Sequence, residues 1–350
     1  MSIPNPIYNM GNTCYLNAFL QIIFAIPEIH QLVNSPRVQK IINQNSINHN
    51  MIREWCSMCK AITELKPGQP YAPYAFLRTI FELANHNHMD SFIHGAQNDA
   101  SELLLLFINS FHDALKRPVN MNIRGQTQST KDSVAVKCYS FLKTIYEREY
   151  SEIYELFYGL QYTEIIDPNT NQCLQVKPEH YFTIDIEIPN IRNGRISLTQ
   201  CIEQNIRDET LDNENAWYNE TTKEKQNVIK RIRYWNYPKI LVVCLKRFSY
   251  LNGYAEKINT YIDFPVTMPL DLGKFISGYS SFPTQYQLFG ICNHIGIANG
   301  GHYNSFVNTD GQWFYCDDTS IQLVPVEQYK NMVTEHAYIL FFRKMSNNII

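Results

Sequence analysis

Cys14 lies in the run Asn9-Met10-Gly11-Asn12-Thr13-Cys14-Tyr15-Leu16-Asn17, where a polar, glycine-bearing turn gives way at once to apolar residues. Leu16, Phe19, Leu20, Ile23 and Phe24 follow at helical spacing, so the thiol is expected in the first turn of an amphipathic helix ending near Pro27. Thr13 or Asn12 is the expected cap. A sulfur placed there meets unpaired amide groups and the positive end of the helix dipole, which predicts a pKa below the ~8.5 of a free thiol. The chemistry would be nucleophilic attack. A free cysteine is more commonly a buried structural residue, and a nucleophilic one needs a base that is itself held by a third group.

Of the ten histidines, His86 and His88 stand in polar surroundings and read as surface residues. His302, in Gly300-Gly301-His302-Tyr303-Asn304-Ser305-Phe306, enters a strand that turns at Asp310-Gly311 and returns through Trp313 to Asp317. A tight turn there pairs Thr309 with Gln312 and places His302 opposite Thr319. Asp317 then shares a face with His302 as a diagonal neighbour, roughly 7–8 Å away at the backbone. Asp318 would point the other way; a slip of one residue exchanges the two carboxylates, and a solvated turn is the plainer alternative for both. His294, in Cys292-Asn293-His294-Ile295-Gly296, is the rival base, although its apolar run suits a hydrogen-bonded structural histidine.

Two kinds of structure must bring these residues together. Helical periodicity recurs over about 51–65, 76–84, 100–115 and 139–146, with a polar, Gly/Pro-punctuated loop over 116–132. The period then changes to extended runs at 158–166, 181–188, 229–235, 240–248, 286–294, 303–308, 313–316 and 337–342. Turn signals separate them, among them Asp167-Pro168-Asn169, Asn252-Gly253 and Asp310-Gly311. A helical front half and an antiparallel β back half predict an α+β chain, with the site in a cleft between them. The sequence shows no internal repeat and no linker, which favours one multi-lobed domain.

The 350 residues are 45% hydrophobic and 13% aromatic, ample for a large core. A formal net charge of −3 offers no electrostatic case for nucleic acid. No stretch of 18 apolar residues occurs, so no membrane-spanning helix is expected. Nine cysteines without a spacing framework, and no signal-peptide pattern at the start, predict a reducing compartment, cytosolic or nuclear.

The motifs together resemble the catalytic domain of the ubiquitin-specific proteases, papain-like deubiquitinating enzymes. NMGNTCYLNAFLQ (9–21) is similar to the family's cysteine box and GAQNDASELL (95–104) to its QQDA-type helix start. LKRFSY (245–250), with KI at 257–258, FP at 264–265 and LDL at 270–272, is similar to the central strand block. GGHYNSFV and WFYCDD (300–307, 313–318) are similar to the histidine box. The blocks keep the family's order over nearly the whole chain.

The resemblance implies roles for individual residues. Cys14 matches the nucleophile, His302 the general base, Asp317 the orienting acid and Asn9 the oxyanion-hole amide, which would otherwise read as a turn former. Asp318 matches a second acid that assists or replaces the first. Gln97, Asp99 and Tyr303 match positions along the channel for the ubiquitin tail, and His294 a recurrent histidine outside the triad. The implied fold is a fingers, palm and thumb arrangement: thumb about 1–150, fingers about 155–238, palm about 239–345. Segments 273–285 and 297–301 fall where the family has cleft-bordering loops. The implied partner is ubiquitin or ubiquitinated protein, bound by a monomer needing no cofactor. Other outcomes stay open: a protease for another ubiquitin-like modifier, a general cysteine peptidase, and a silent ubiquitin-binding scaffold.

The chain departs from the family pattern in the fingers. Many members carry two CxxC pairs that hold zinc; here 162–173 and 217–225 retain Cys173 alone, too few ligands for a closed site, so no metal is expected. Cys56-Ser57-Met58-Cys59 is the one CxxC, placed on a helix with no second pair. Cys244, Cys292 and Cys316 read as structural.

Overall fold

The apolar period after Cys14 forms a helix, α1 (Cys14–Phe24), that is buried along its length except at Phe24. It is the central helix of the computed structural model, which describes residues 3–345 apart from 43–45, 67, 91, 93, 192–193, 252–253, 280 and 299. Ala100–Leu115 packs against it, Ile47–Glu64 against that helix and Tyr74–His86 against both of these, all three close to the expected bounds. Trp55, Phe107 and Phe111 interlock at their centre, with ring centroids 4.2–6.3 Å apart. The expected 139–146 helix runs from Thr130 to Glu149. Its period was legible only in the middle because it buries little beyond Ala135, Cys138 and Ile145, while a Ser129–Asp132 capping box starts it. Short helices at Pro27–Val33, Pro36–Ile41, Glu152–Phe157 and Leu198–Asn205 lack a readable period; they begin at Pro or behind Ser35, Ser151 and Ser197 caps.

The back half builds an eight-stranded sheet. Its path runs Ser320–Leu323, Gln312–Asp317, Gly300–Thr309, Gln285–Ile297, Ala337–Lys344, Ile240–Lys246, Thr183–Glu187, with Leu270–Asp271 beside the fourth strand. Ile240–Leu245 is apolar throughout because both faces are covered. Ile240, Val242 and Cys244 join the core under the helices, while Leu241, Val243 and Leu245 join a second core behind the sheet. The back half is antiparallel as expected except for two parallel pairs, Thr183–Glu187 with Ile240–Lys246 at the edge of this sheet and Arg195–Ser197 with Tyr261–Asp263 in a separate two-stranded sheet. The single strand expected over 181–188 is instead two strands. Cys173–Tyr181 belongs to a four-stranded sheet with Gly159–Ile166, Val228–Asn236 and Glu209–Leu211, and the chain crosses to the large sheet at Phe182. Asn252-Gly253 lies outside the described residues; Phe248–Leu251 and Tyr254–Lys257 on either side pair antiparallel.

One close approach sets the site. α1 lies across strands Gln285–Ile297 and Gly300–Thr309, and a Cβ added at Gly290 would come within 2.7 Å of Ile22 Cγ2. Glycine there lets the helix carrying Cys14 settle onto the sheet carrying His302.

Candidate active site

The turn before α1 is folded around the Asn9 side chain. Asn9 Oδ1 accepts from the backbone N–H groups of Gly11 and Thr13, each at 3.1 Å. Gly11 and Asn12 both take positive φ, 95° and 56°, a conformation glycine and asparagine tolerate. The capping expectation is corrected. Thr13 stands at the cap but its hydroxyl accepts from Met10 N–H at 2.8 Å, and Asn12 Nδ2 donates to Gly95 O at 2.8 Å. The Thr13 side chain therefore makes no cap bond to α1.

Cys14 is 2% exposed. Burial pushes its thiol pKa up, and the charge of Asp318 adds to that; N–H groups of Tyr303, Tyr15 and Cys14 itself pull the other way and lose. The expected depressed pKa is thus corrected: desolvation of the anion outweighs the helix terminus. α1 packs on strand Gly300–Thr309, and Cys14 and Tyr303 share one buried cluster, which brings the segment carrying His302 beside the thiol.

His302 Nε2 lies 2.6 Å from Asp317 Oδ1, and Tyr315 OH donates to Asp317 Oδ2 at 3.2 Å. The hairpin register matches expectation from Thr309–Gln312 to Ser305–Cys316, which brings Asp317 diagonal to His302. Thr319 does not face His302, because the strand stops at Asp317 and reverses, pairing Asp317 with Ser320. Asp318 takes φ 49° in that turn. Its carboxylate consequently swings back toward Cys14 rather than away, accepting from Asn9 Nδ2 at 3.0 Å and Asn17 Nδ2 at 2.7 Å. His302, Asp317 and Asp318 converge within 4.8 Å, the one metal-compatible grouping among the described residues. Its donor atoms are already engaged with one another, Tyr315, Asn9 and Asn17, an arrangement that orients protons and amides.

Gln97, Asp99 and Tyr303, expected along a channel, line a 490 Å³ cleft together with Phe248, His294 and Tyr338, among others. Gln97 grips Gly301 through both backbone groups, Nε2 to O at 2.5 Å and N to Oε1 at 2.7 Å. Asp99 caps the Ala100–Leu115 helix at Ser101 N, 2.6 Å, and receives Tyr338 OH at 2.8 Å. Tyr303 is buried, its ring 4.7 Å from that of His294. His294 is 4% exposed and has no carboxylate partner; burial, then Lys257, His336 and His302, hold its pKa down at about 4. Its neutral ring packs beneath Gly301. Tyr338 and Asn17 escaped the sequence. Nothing local marks Tyr338, whereas Asn17, a polar residue on the buried face of α1, was a signal.

Cys56 and Cys59 are half-buried on the Ile47–Glu64 helix. Burial raises both thiols, Cys59 to about 12, which makes them poor nucleophiles. Cys244, Cys292 and Cys316 are buried in the core.

A sulfur at a helix start, a strand-borne imidazole held by a carboxylate and an amide-bearing turn beside them form the layout of a papain-like cysteine hydrolase. The family model described as "Ubiquitin carboxyl-terminal hydrolase" matches residues 6–342, and the chain belongs to that family. Ubiquitin carboxyl-terminal hydrolase 4 of Mus musculus is 37% identical over 155 residues, 44% of this chain and 16% of that protein. Ubiquitin carboxyl-terminal hydrolase 4 of Vanderwaltozyma polyspora is 24% identical over 96% of this chain and 40% of its own length. The chain therefore matches well under half the length of these curated relatives. The SAGA DUB module of Ubp8, Sgf11, Sus1 and Sgf73 bound to monoubiquitin contains a chain of the same fold: TM-score 0.72, 22% identity, 99% of this chain and 70% of that one. The module bound to ubiquitin aldehyde gives TM-score 0.73 at 21% identity.

Proposed function

We propose that this protein is a deubiquitinating thiol hydrolase that cleaves after the C-terminal glycine of ubiquitin. The observation that carries the proposal is the packing of α1, which opens on Cys14, against the strand bearing His302, while His302 Nε2 meets Asp317 at 2.6 Å. With Nε2–H donated to Asp317, Nδ1 keeps its lone pair for the thiol proton. Transfer of that proton to His302 releases the thiolate, which attacks the glycine carbonyl and drives its electrons onto oxygen. Asn9 Nδ2 and the first amides of α1 are donors for that oxyanion. The imidazolium protonates the departing lysine or α-amine as the C–N bond breaks. Water, deprotonated by the same ring, then cleaves the thioester and returns sulfur and histidine to their starting states.

In this reading Gln97, Asp99 and Tyr303, which share one cleft, take the glycine-ended tail, and the chain acts as a monomer in thumb (1–150), finger (155–238) and palm (239–345) lobes. Nine unpaired cysteines suit work in the cytosol or nucleus. The test is a panel of ubiquitin and ubiquitin-like proteins bearing C-terminal electrophiles, with Cys14→Ala as control. Capture of ubiquitin by the wild type but not the control supports the proposal. Capture of a different modifier reassigns the substrate, and capture of none alongside retained ubiquitin binding identifies a silent scaffold.

A further inference from the structure

The two carboxylates that end strand Gln312–Asp317 have separate partners. Asp317 holds the imidazole. Asp318 touches no imidazole nitrogen at hydrogen-bond distance; both its oxygens are taken by amides, Oδ2 by Asn9 and Oδ1 by Asn17. Asn17 is 2% exposed, one turn beyond Cys14, and its Nδ2 also lies 3.3 Å from Tyr8 O in the segment leading to Asn9.

We propose that Asn17 is a positioning residue for the reaction, acting through Asp318 to aim the Asn9 amide at the developing oxyanion. The role presupposes the deubiquitinating chemistry proposed above. Asn9 has its Oδ1 fixed by Gly11 and Thr13 and one of its two N–H groups taken by Asp318. Its amide plane is thus held at both ends, and the remaining N–H has one direction. Asp318 can hold it only if Asp318 is itself held, because it stands in a left-handed turn at a strand end. Asn17 supplies that anchor from α1, so nucleophile and amide donor are referenced to one rigid helix. A carboxylate suits position 318 since its two oxygens accept from the two amides separately, and the two donors offset the cost of an anion beside Cys14.

The test compares wild type, Asn17→Ala, Asn9→Ala and the double variant, using a fluorogenic ubiquitin C-terminal amide and alkylation of Cys14 by iodoacetamide. Alkylation develops no oxyanion. Asn17→Ala should lower kcat roughly 10²-fold, the scale of one oxyanion donor, at unchanged KM. Its alkylation rate and pH profile should stay within threefold of wild type. In the Asn9→Ala background, Asn17→Ala should have little further effect. Additive losses, equally slowed alkylation or a kcat within threefold of wild type would each overturn the role. If Asn17→Ala does not fold, Asn17→Ser, with one donor on a shorter arm, carries the same comparison. Failure of the wild type to turn over the ubiquitin substrate would instead remove the underlying chemistry, a result separate from all of these.

Discussion

Replacing His294 isolates the electrostatic cost of the ring beneath the site. The imidazole is 4% exposed, its Nδ1 has no partner among the described residues, and its pKa is held at about 4 against an ordinary 6.5. The groups facing it include Lys257, whose Nζ donates to His294 O at 2.5 Å, together with His336 and His302. Between those two pKa values the unfolded chain binds a proton that the folded chain refuses, so stability falls as pH drops through this window. At 1.36 kcal/mol per pKa unit the loss is about 2.5 kcal/mol near pH 4.5, and little is screened because the ring is buried. Urea unfolding of wild type and His294→Leu near pH 7.5 and pH 4.5 measures it. Other carboxylates titrate in both proteins, so the wild-type stability relative to the variant should decline by about 2 to 3 kcal/mol on acidification. Parallel pH curves for the two proteins would refute the reasoning, since they would show that His294 already carries its proton or that the site admits water.

Iodoacetamide alkylation of Cys14 should rise with pH to a midpoint above the ~8.5 of a free thiol, since burial favours the neutral sulfur; a midpoint near neutrality would show a resting ion pair instead. Gly301→Ala should lower kcat about 10²-fold and stability by about 1–3 kcal/mol, read by turnover and thermal melting. An added Cβ there would lie 2.5 Å from His294 Nε2 and closer still to Ile295 O, so the strand entering His302 must shift. Asp317→Asn should reduce kcat by roughly 10² to 10⁴ with a melting temperature near wild type, because it removes the carboxylate that holds the Nε2–H tautomer; activity within threefold of wild type would assign that task elsewhere.

Much of the chain's local structure was present in its spacing. The α1 bounds, the Ala100–Leu115 helix and the Thr309–Gln312 hairpin follow from apolar period and turn chemistry, and these act between neighbours a few residues apart. The same locality explains the errors. Helix Thr130–Glu149 hid its ends because so little of it is buried, and the 181–188 run concealed a change of sheet because a strand's residues do not state which neighbour they pair with.

Sequence alone determined that a cysteine would open a helix, that a histidine and an aspartate would share a strand face, and that the motifs stand in one family's order. Only the folded chain decided the rest. Burial raised the Cys14 thiol where a helix terminus by itself would have lowered it. A left-handed turn brought Asp318 onto Asn9 and Asn17, and Tyr338 reached Asp99 from a distant strand. Desolvation and contacts between remote segments depend on where whole elements pack, and no local period encodes that.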